Sequence, residues 1–204
     1  MKRKSGPFNI AICPPPGISA RAMELSRLLQ GRGGLFTLNK RSRIPHVTLY
    51  MAELPLENVR RAASALKDFS SQTSPFEIEF LSYKENKNGY VDVRFRESPE
   101  LLRLHKRVVD LINPLREGLI RNRDREKMGE LSKSERRNLE LYGSRRVGSR
   151  LDPHLTLTKL REDQGRVISG LPQHNFSFRV TRIGLFHLGP HGTCRRLIRG
   201  FCLS

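Results

Sequence analysis

The chain writes one short pattern twice: "IPHVTLYM" from Ile44 and "DPHLTLTK" from Asp152 share Pro-His-apolar-Thr-Leu. With 12 Pro and 6 His in 204 residues, composition alone starts that five-residue pattern about once in several hundred thousand positions. Two copies far apart in the chain imply two related structural units, and no other feature constrains the fold as much. Both stretches read as strands. Side chains alternate between the faces of a strand, so His46, Thr48 and Tyr50 share one face opposite Val47, Leu49 and Met51. In the second copy His154, Thr156 and Thr158 lie opposite Leu155 and Leu157. Each strand then buries an apolar face and presents an imidazole and a hydroxyl on the other.

The flanking segments repeat a strand, helix, histidine-strand order. Phe8 to Cys13 reads as a strand ended by "PPPG", and Ile18, Ala22, Leu25 and Leu28/Leu29 mark a helical face that Gly31 ends. "LFTLN" and "HVTLYM" read as two strands joined by the basic turn "KRSR", and Val59, Ala62, Ala63, Leu66 and Phe69 mark a second helix. "FEIEFLSY" and "YVDVRF" flank Asn88-Gly89, a hairpin signal. A third helix follows Ser98-Pro99, with Pro114 expected to kink or split it. "HLTLTKL", "NFSFRVTRIGLFHLG" and "CRRLIRGFCL" supply the last strands, the final two turning at "GPHGT". Residues 1–204 therefore read as a single bilobal α+β domain: pseudo-two-fold duplicated antiparallel sheets, helices on the outside and a central cleft.

Between Arg121 and Arg150 lie ten Lys+Arg and five Asp+Glu, a balance of +5, with weak apolar periodicity apart from a short helix expected over Ser134–Tyr142 and capped by Gly143. Two readings of this segment stay open: a mobile basic segment that folds over the cleft and grips the phosphates of an RNA end, and a solvated linker. The whole chain carries a formal charge of +18, which concentrates polyanions near the surface and points to nucleic acid or another phosphate-rich partner. No apolar run approaches a bilayer span, and the N-terminal residues lack a signal peptide's apolar segment, so the expectation is a cytoplasmic protein without membrane contact and monomeric. Cys13, Cys194 and Cys202 are dispersed and read as idle thiols.

If the two lobes face each other, the histidines oppose across the cleft. In-line displacement at phosphorus needs a base on one side and an acid on the other, and imidazole serves as either around neutral pH. The threonine hydroxyls, two residues on, can donate to non-bridging oxygens. No metal enters this scheme: there is no His-Glu-x-x-His and no acidic cluster beside either motif, and no cofactor is expected. Further candidates for substrate contact are Tyr50 and Thr158 on the motif strands, Arg145, Arg146 and Arg150 leading into the second motif, and His191 at the tip of the last turn. His105 lies near the apolar stripe of the third helix and reads as a half-buried packing residue.

Beyond the motifs, "FNIAICPPPGISARAMELSRLL", "NLELYGSRRVGSRLDPHLTLTKL" and "IGLFHLGPHGTCRRL" resemble the two-histidine (2H) phosphoesterase superfamily, in particular its 2′,5′-RNA ligases and RNA cyclic phosphodiesterases. The resemblance implies that His46 and His154 are acid and base and that Thr48 and Thr156 bind phosphate. The substrate implied is an RNA end or a nucleotide bearing a cyclic phosphate. Two rival readings stay open: a non-catalytic RNA-binding protein on the same fold, and a phosphodiesterase for a small cyclic nucleotide or ADP-ribose derivative.

Overall fold

The computed structural model describes residues 4–161 and 167–204. In chain order the elements are β1 (Ser5–Ile12), α1 (Pro16–Gln30), β2 (Val47–Pro55), α2 (Val59–Ser70), β3 (Phe76–Ile78), β4 (Phe80–Glu85), β5 (Tyr90–Phe95), α3 (Pro99–Ile112), α4 (Asn122–Glu126), α5 (Lys133–Tyr142), β6 (His154–Lys159), β7 (Phe178–Val180), β8 (Arg182–Leu188) and β9 (Cys194–Cys202). A four-stranded antiparallel sheet, β2-β1-β8-β9, carries the first motif; a three-stranded one, β4-β5-β6, carries the second; β3 and β7 form a small third sheet.

Local chemistry explains the boundaries. Pro16 stands in the first turn of α1, where its missing N–H costs nothing. Leu29 is buried and Leu28 exposed, so the helical face turns on the former. The Ser98 hydroxyl caps α3 by accepting from the Leu101 N–H, and the helix stops at Ile112, two residues before Pro114. Ser132 and Glu135 form a reciprocal capping box on α5, and Gly143 ends that helix in the left-handed region at φ 63°.

The lobes are not the two halves of the chain. The terminal hairpin β8–β9 returns to the first sheet, beside β1. The helices cross as well: α1 packs on β6 and α3 on β2, each against the other lobe's histidine strand. One apolar cluster consequently runs through both lobes, including Ile10, Leu25, Leu54, Val93, Val108, Leu155 and Leu157.

Two expectations need correction. "LFTLN" is not a strand. It forms a loop whose backbone is paired elsewhere: Leu35 N–H donates to the Lys159 carbonyl, Phe36 bonds the Thr158 hydroxyl through both backbone groups, and Leu38 N–H donates to Ser26 Oγ. "FEIEFLSY" is not one strand either, because it breaks at Glu79 so that β3 leaves to pair with β7. The charged segment 121–150 holds α4 and α5 and is docked on the core. Leu139 is buried, and the buried Arg116 guanidinium donates to the carbonyls of Leu119, Glu140 and Leu141 at 2.7–2.9 Å. Among the described residues no helix is long and apolar enough to cross a membrane.

Candidate active site

The two motifs hold their histidines in the same way. The His46 ring nitrogen Nδ1 lies 2.8 Å from the Ile44 carbonyl, and His154 Nδ1 lies 2.5 Å from the Asp152 carbonyl. A carbonyl can only accept, so the proton sits on Nδ1 in each ring and Nε2 is the nitrogen available for chemistry. In both cases the carbonyl belongs to the residue before the motif proline, whose fixed φ sets the short loop.

A β-bulge then interrupts each strand at the same motif position. On β2, Thr48 pairs with Ala11 and Tyr50 with Ile10, leaving Leu49 extra. On β6, Thr156 pairs with Asp92 and Thr158 with Val91, leaving Leu157 extra. An extra residue reverses the in–out alternation beyond it. Tyr50 and Thr158, expected beside the histidines, therefore point into the core: Tyr50 is buried with its hydroxyl on the Tyr142 carbonyl, and Thr158 is buried with its hydroxyl donating to the Phe36 carbonyl at 2.7 Å. Met51 and Lys159, both half-buried, take up the histidine-bearing face instead.

Beyond this shared frame the two sites differ. His46 is buried, and burial pushes its pKa down to about 4; the nearby His154 adds to the depression, while backbone contacts at Ile44 and Gly192 oppose it. His154 is more exposed and has an arginine beside it: Arg146 Nη1 lies 3.4 Å from Nδ1 and 3.3 Å from Nε2, and 3.6 Å from the Asp152 carboxylate, which also pairs with Arg94. The Thr48 hydroxyl accepts from the buried Asn9 amide at 3.0 Å, so its own proton is available to the cleft. The Thr156 hydroxyl donates to the buried Asp92 carboxylate at 2.7 Å, so its proton is committed.

Of the other expected contacts, His191 comes to the rim. It sits at φ 60°, its ring stacks on Phe36 at 5.8 Å, and the neighbouring Gly192 touches His46. Burial, Lys159, Arg123 and Arg43 lower its pKa, so cations gather around it. Of the three arginines, only Arg146 reaches a motif histidine. Arg150, expected at the substrate, is placed elsewhere: its guanidinium lies on Ser134 Oγ at 2.5 Å and on Glu135 at 3.6 Å at the start of α5. Arg145 lies close enough to Glu135 to help lower that carboxyl's pKa, after the bonds from Ser132. Sequence reading missed Asn9, Asp92 and Lys159. The first two lie on neighbouring strands, where only pairing reveals them; for Lys159 the signal was the apolar phase, which skips from Leu155 and Leu157 to Leu160.

This bilobal α+β fold, with one His-x-Thr strand in each lobe, is that of the two-histidine phosphoesterase superfamily. The chain belongs to the 2′-5′ RNA ligase superfamily, whose profile matches residues 14–191. Among solved structures it is similar to Escherichia coli LigT in its apo form, with a TM-score of 0.61 at 15% identity over 98% of this chain and 99% of that one. It is similar also to LigT complexed with 3′-AMP, with a TM-score of 0.63 at 17% identity over 98% of this chain and 99% of that one. The TT0787 protein of Thermus thermophilus gives a TM-score of 0.60 at 18% identity over 97% of each chain. No curated protein matches the sequence.

Proposed function

We propose that this protein opens 2′,3′-cyclic phosphate ends of RNA by paired histidine acid–base catalysis, with 2′,5′-ligation as the same ring opening by a 5′-hydroxyl in place of water. The observation that carries the reading is the matched pair of Nδ1-anchored imidazoles, one of them kept neutral by burial. In hydrolysis the neutral His46 takes a proton from water as the water oxygen bonds to phosphorus. The ring bond from phosphorus to a ribose oxygen breaks, and His154 gives that oxygen a proton. Proximity of the rings supports the split, since a proton on His154 opposes one on His46. An anionic phosphate between them raises the His46 pKa toward the working range. Thr48, with its free proton, is the donor to a non-bridging oxygen, and Arg146 and Lys159 supply positive charge from the second motif's side.

The charge of +18 and the cations around His191 support a polyanionic substrate. Solved complexes of LigT with 3′-AMP and with ATP support a nucleotide ligand. The test is one assay of the purified protein on an oligonucleotide ending in a 2′,3′-cyclic phosphate and on nucleoside 2′,3′-cyclic monophosphates, with and without chelator. Turnover of the oligonucleotide that survives EDTA, with higher kcat/KM than the mononucleotides, is expected. Preference for the mononucleotide selects the small-substrate reading. Oligonucleotide binding without turnover selects the non-catalytic one.

A further inference from the structure

Two buried polar side chains, one on each crossing helix, make mirror-image connections. In α1 the Ser26 hydroxyl donates to the Leu157 carbonyl at 2.7 Å and accepts from the Leu38 N–H at 2.8 Å. In α3, His105 Nδ1 donates to the Leu49 carbonyl at 2.9 Å, and Nε2 accepts from the Gly148 N–H at 3.1 Å. Leu157 and Leu49 are the two bulge residues, and Leu38 and Gly148 lie in the loops that lead into the first and second motifs. His105 is therefore not the half-buried packing residue its position suggested: it is buried, and both ring nitrogens are used.

A bulge removes its residue from the ladder and orphans a backbone group that is costly to leave buried. Leucine at position 26 or 105 would fill space and satisfy neither carbonyl. One hydroxyl, or one neutral imidazole, satisfies a bulge carbonyl and a loop N–H together. The consequence reaches the cleft. The Leu157 bulge turns Lys159 to the histidine face, and the Gly148 loop carries Arg146. Around Arg146 that loop is held at three points: Asn138 donates to the Arg145 and Val147 carbonyls at 3.2 and 3.0 Å, and His105 takes the Gly148 N–H.

We propose that His105 and Ser26 are positioning residues that tie each histidine strand to the loop of the opposite motif, His105 setting Arg146 beside His154 and Ser26 setting Lys159 in the cleft. The inference rests on the acid–base reading above. H105N keeps a donor at the Nδ1 position and loses the acceptor for Gly148; H105Q places an amide oxygen near Nε2 and keeps it. With folding checked by thermal melts, kcat/KM for the cyclic-phosphate oligonucleotide is measured for H105N, R146Q and the double variant, and for S26A, K159Q and their double variant.

H105N and S26A are each expected to lower kcat/KM about 3- to 10-fold, the scale of one buried hydrogen bond. The loss should largely vanish when Arg146 or Lys159 is already replaced, because groups acting through one another are non-additive. H105Q should recover part of the H105N loss. Additive losses in both cycles would overturn the proposal, reducing both residues to general stability. If H105N melts below the assay temperature, the Ser26 cycle decides alone. H46A and H154A run alongside: if they are inactive while both cycles are additive, only the positioning inference falls, and if they stay active the acid–base reading falls with it.

Discussion

The first histidine strand and the second share a template down to the bulge, yet they present different chemistry. On β2 the imidazole is buried and depressed to about 4, and the threonine beside it keeps a free proton because its partner is an amide. On β6 the imidazole is more exposed and faces an arginine, and the threonine spends its proton on a carboxylate. An identical backbone frame thus prepares two unlike sites, and the unlikeness comes from neighbours: Asn9 and Asp92 on adjacent strands, Gly192 in a turn and Arg146 in a loop. The proposed reaction, which needs a base facing an acid, would be served by that asymmetry, since two equivalent histidines would compete for the same proton.

The largest effect expected is from removing either ring. H46A and H154A should each lower kcat by about 10²-fold or more, with the melting temperature changed less for the half-buried His154 than for the buried His46, because acid and base act as a unit. Near wild-type turnover in either variant breaks the pairing.

Next comes pH, through the buried ring of the first motif. The folded pKa of His46 lies below the ordinary imidazole value of about 6.5, so the unfolded chain takes up this proton first as pH falls. Stability from the neutral ring is complete above about pH 6.5 and drains away as pH falls toward about 4, an amount on the order of 3 kcal/mol. Melting temperatures across that window should fall less steeply in H46A than in wild type. Equal slopes would mean that His46 is not held neutral by its burial.

The threonines sharpen the comparison further. T48V removes a donor that is free to meet phosphate and should cost kcat/KM roughly 1.5–3 kcal/mol of a charge-assisted bond; the buried Asn9 amide it leaves keeps its contact with Cys194 Sγ, so the accompanying loss of stability should be the smaller of the two. T156V leaves the buried Asp92 carboxylate without that partner, so its larger effect should be on the melting temperature. If the two variants behave alike, the hydrogen-bond partners do not set the roles. The smallest effect expected is at Arg150: R150Q should leave kcat/KM within about twofold, as an exposed contact at a helix start contributes little, whereas R146Q should lower it measurably. Equal losses in the two would return Arg150 to the cleft.

The two strands that carry the His-x-Thr motifs, the α+β fold and most elements were legible in the sequence because they rest on local rules: strand alternation around His-x-Thr, helical spacing in α1 to α3, Ser98-Pro99 and Gly143 as helix signals. Even the bulges left a trace. Buried apolar positions run Val47, Leu49, then Ala52 and Leu54, and Leu155, Leu157, then Leu160, a phase jump that strict alternation passes over and that put Tyr50 and Thr158 on the wrong face. What only the tertiary structure decided is every property set by residues distant in the chain. The terminal hairpin joins the first sheet, the helices cross to the opposite lobes, "LFTLN" gives its backbone to β6 and Ser26, and Arg116 pins the charged segment to the core. The protonation of His46 belongs to this second group, because a side chain's cost of carrying charge depends on the water that packing removes. A sequence states which groups can titrate; whether His46 stays neutral is settled by what the fold packs around it.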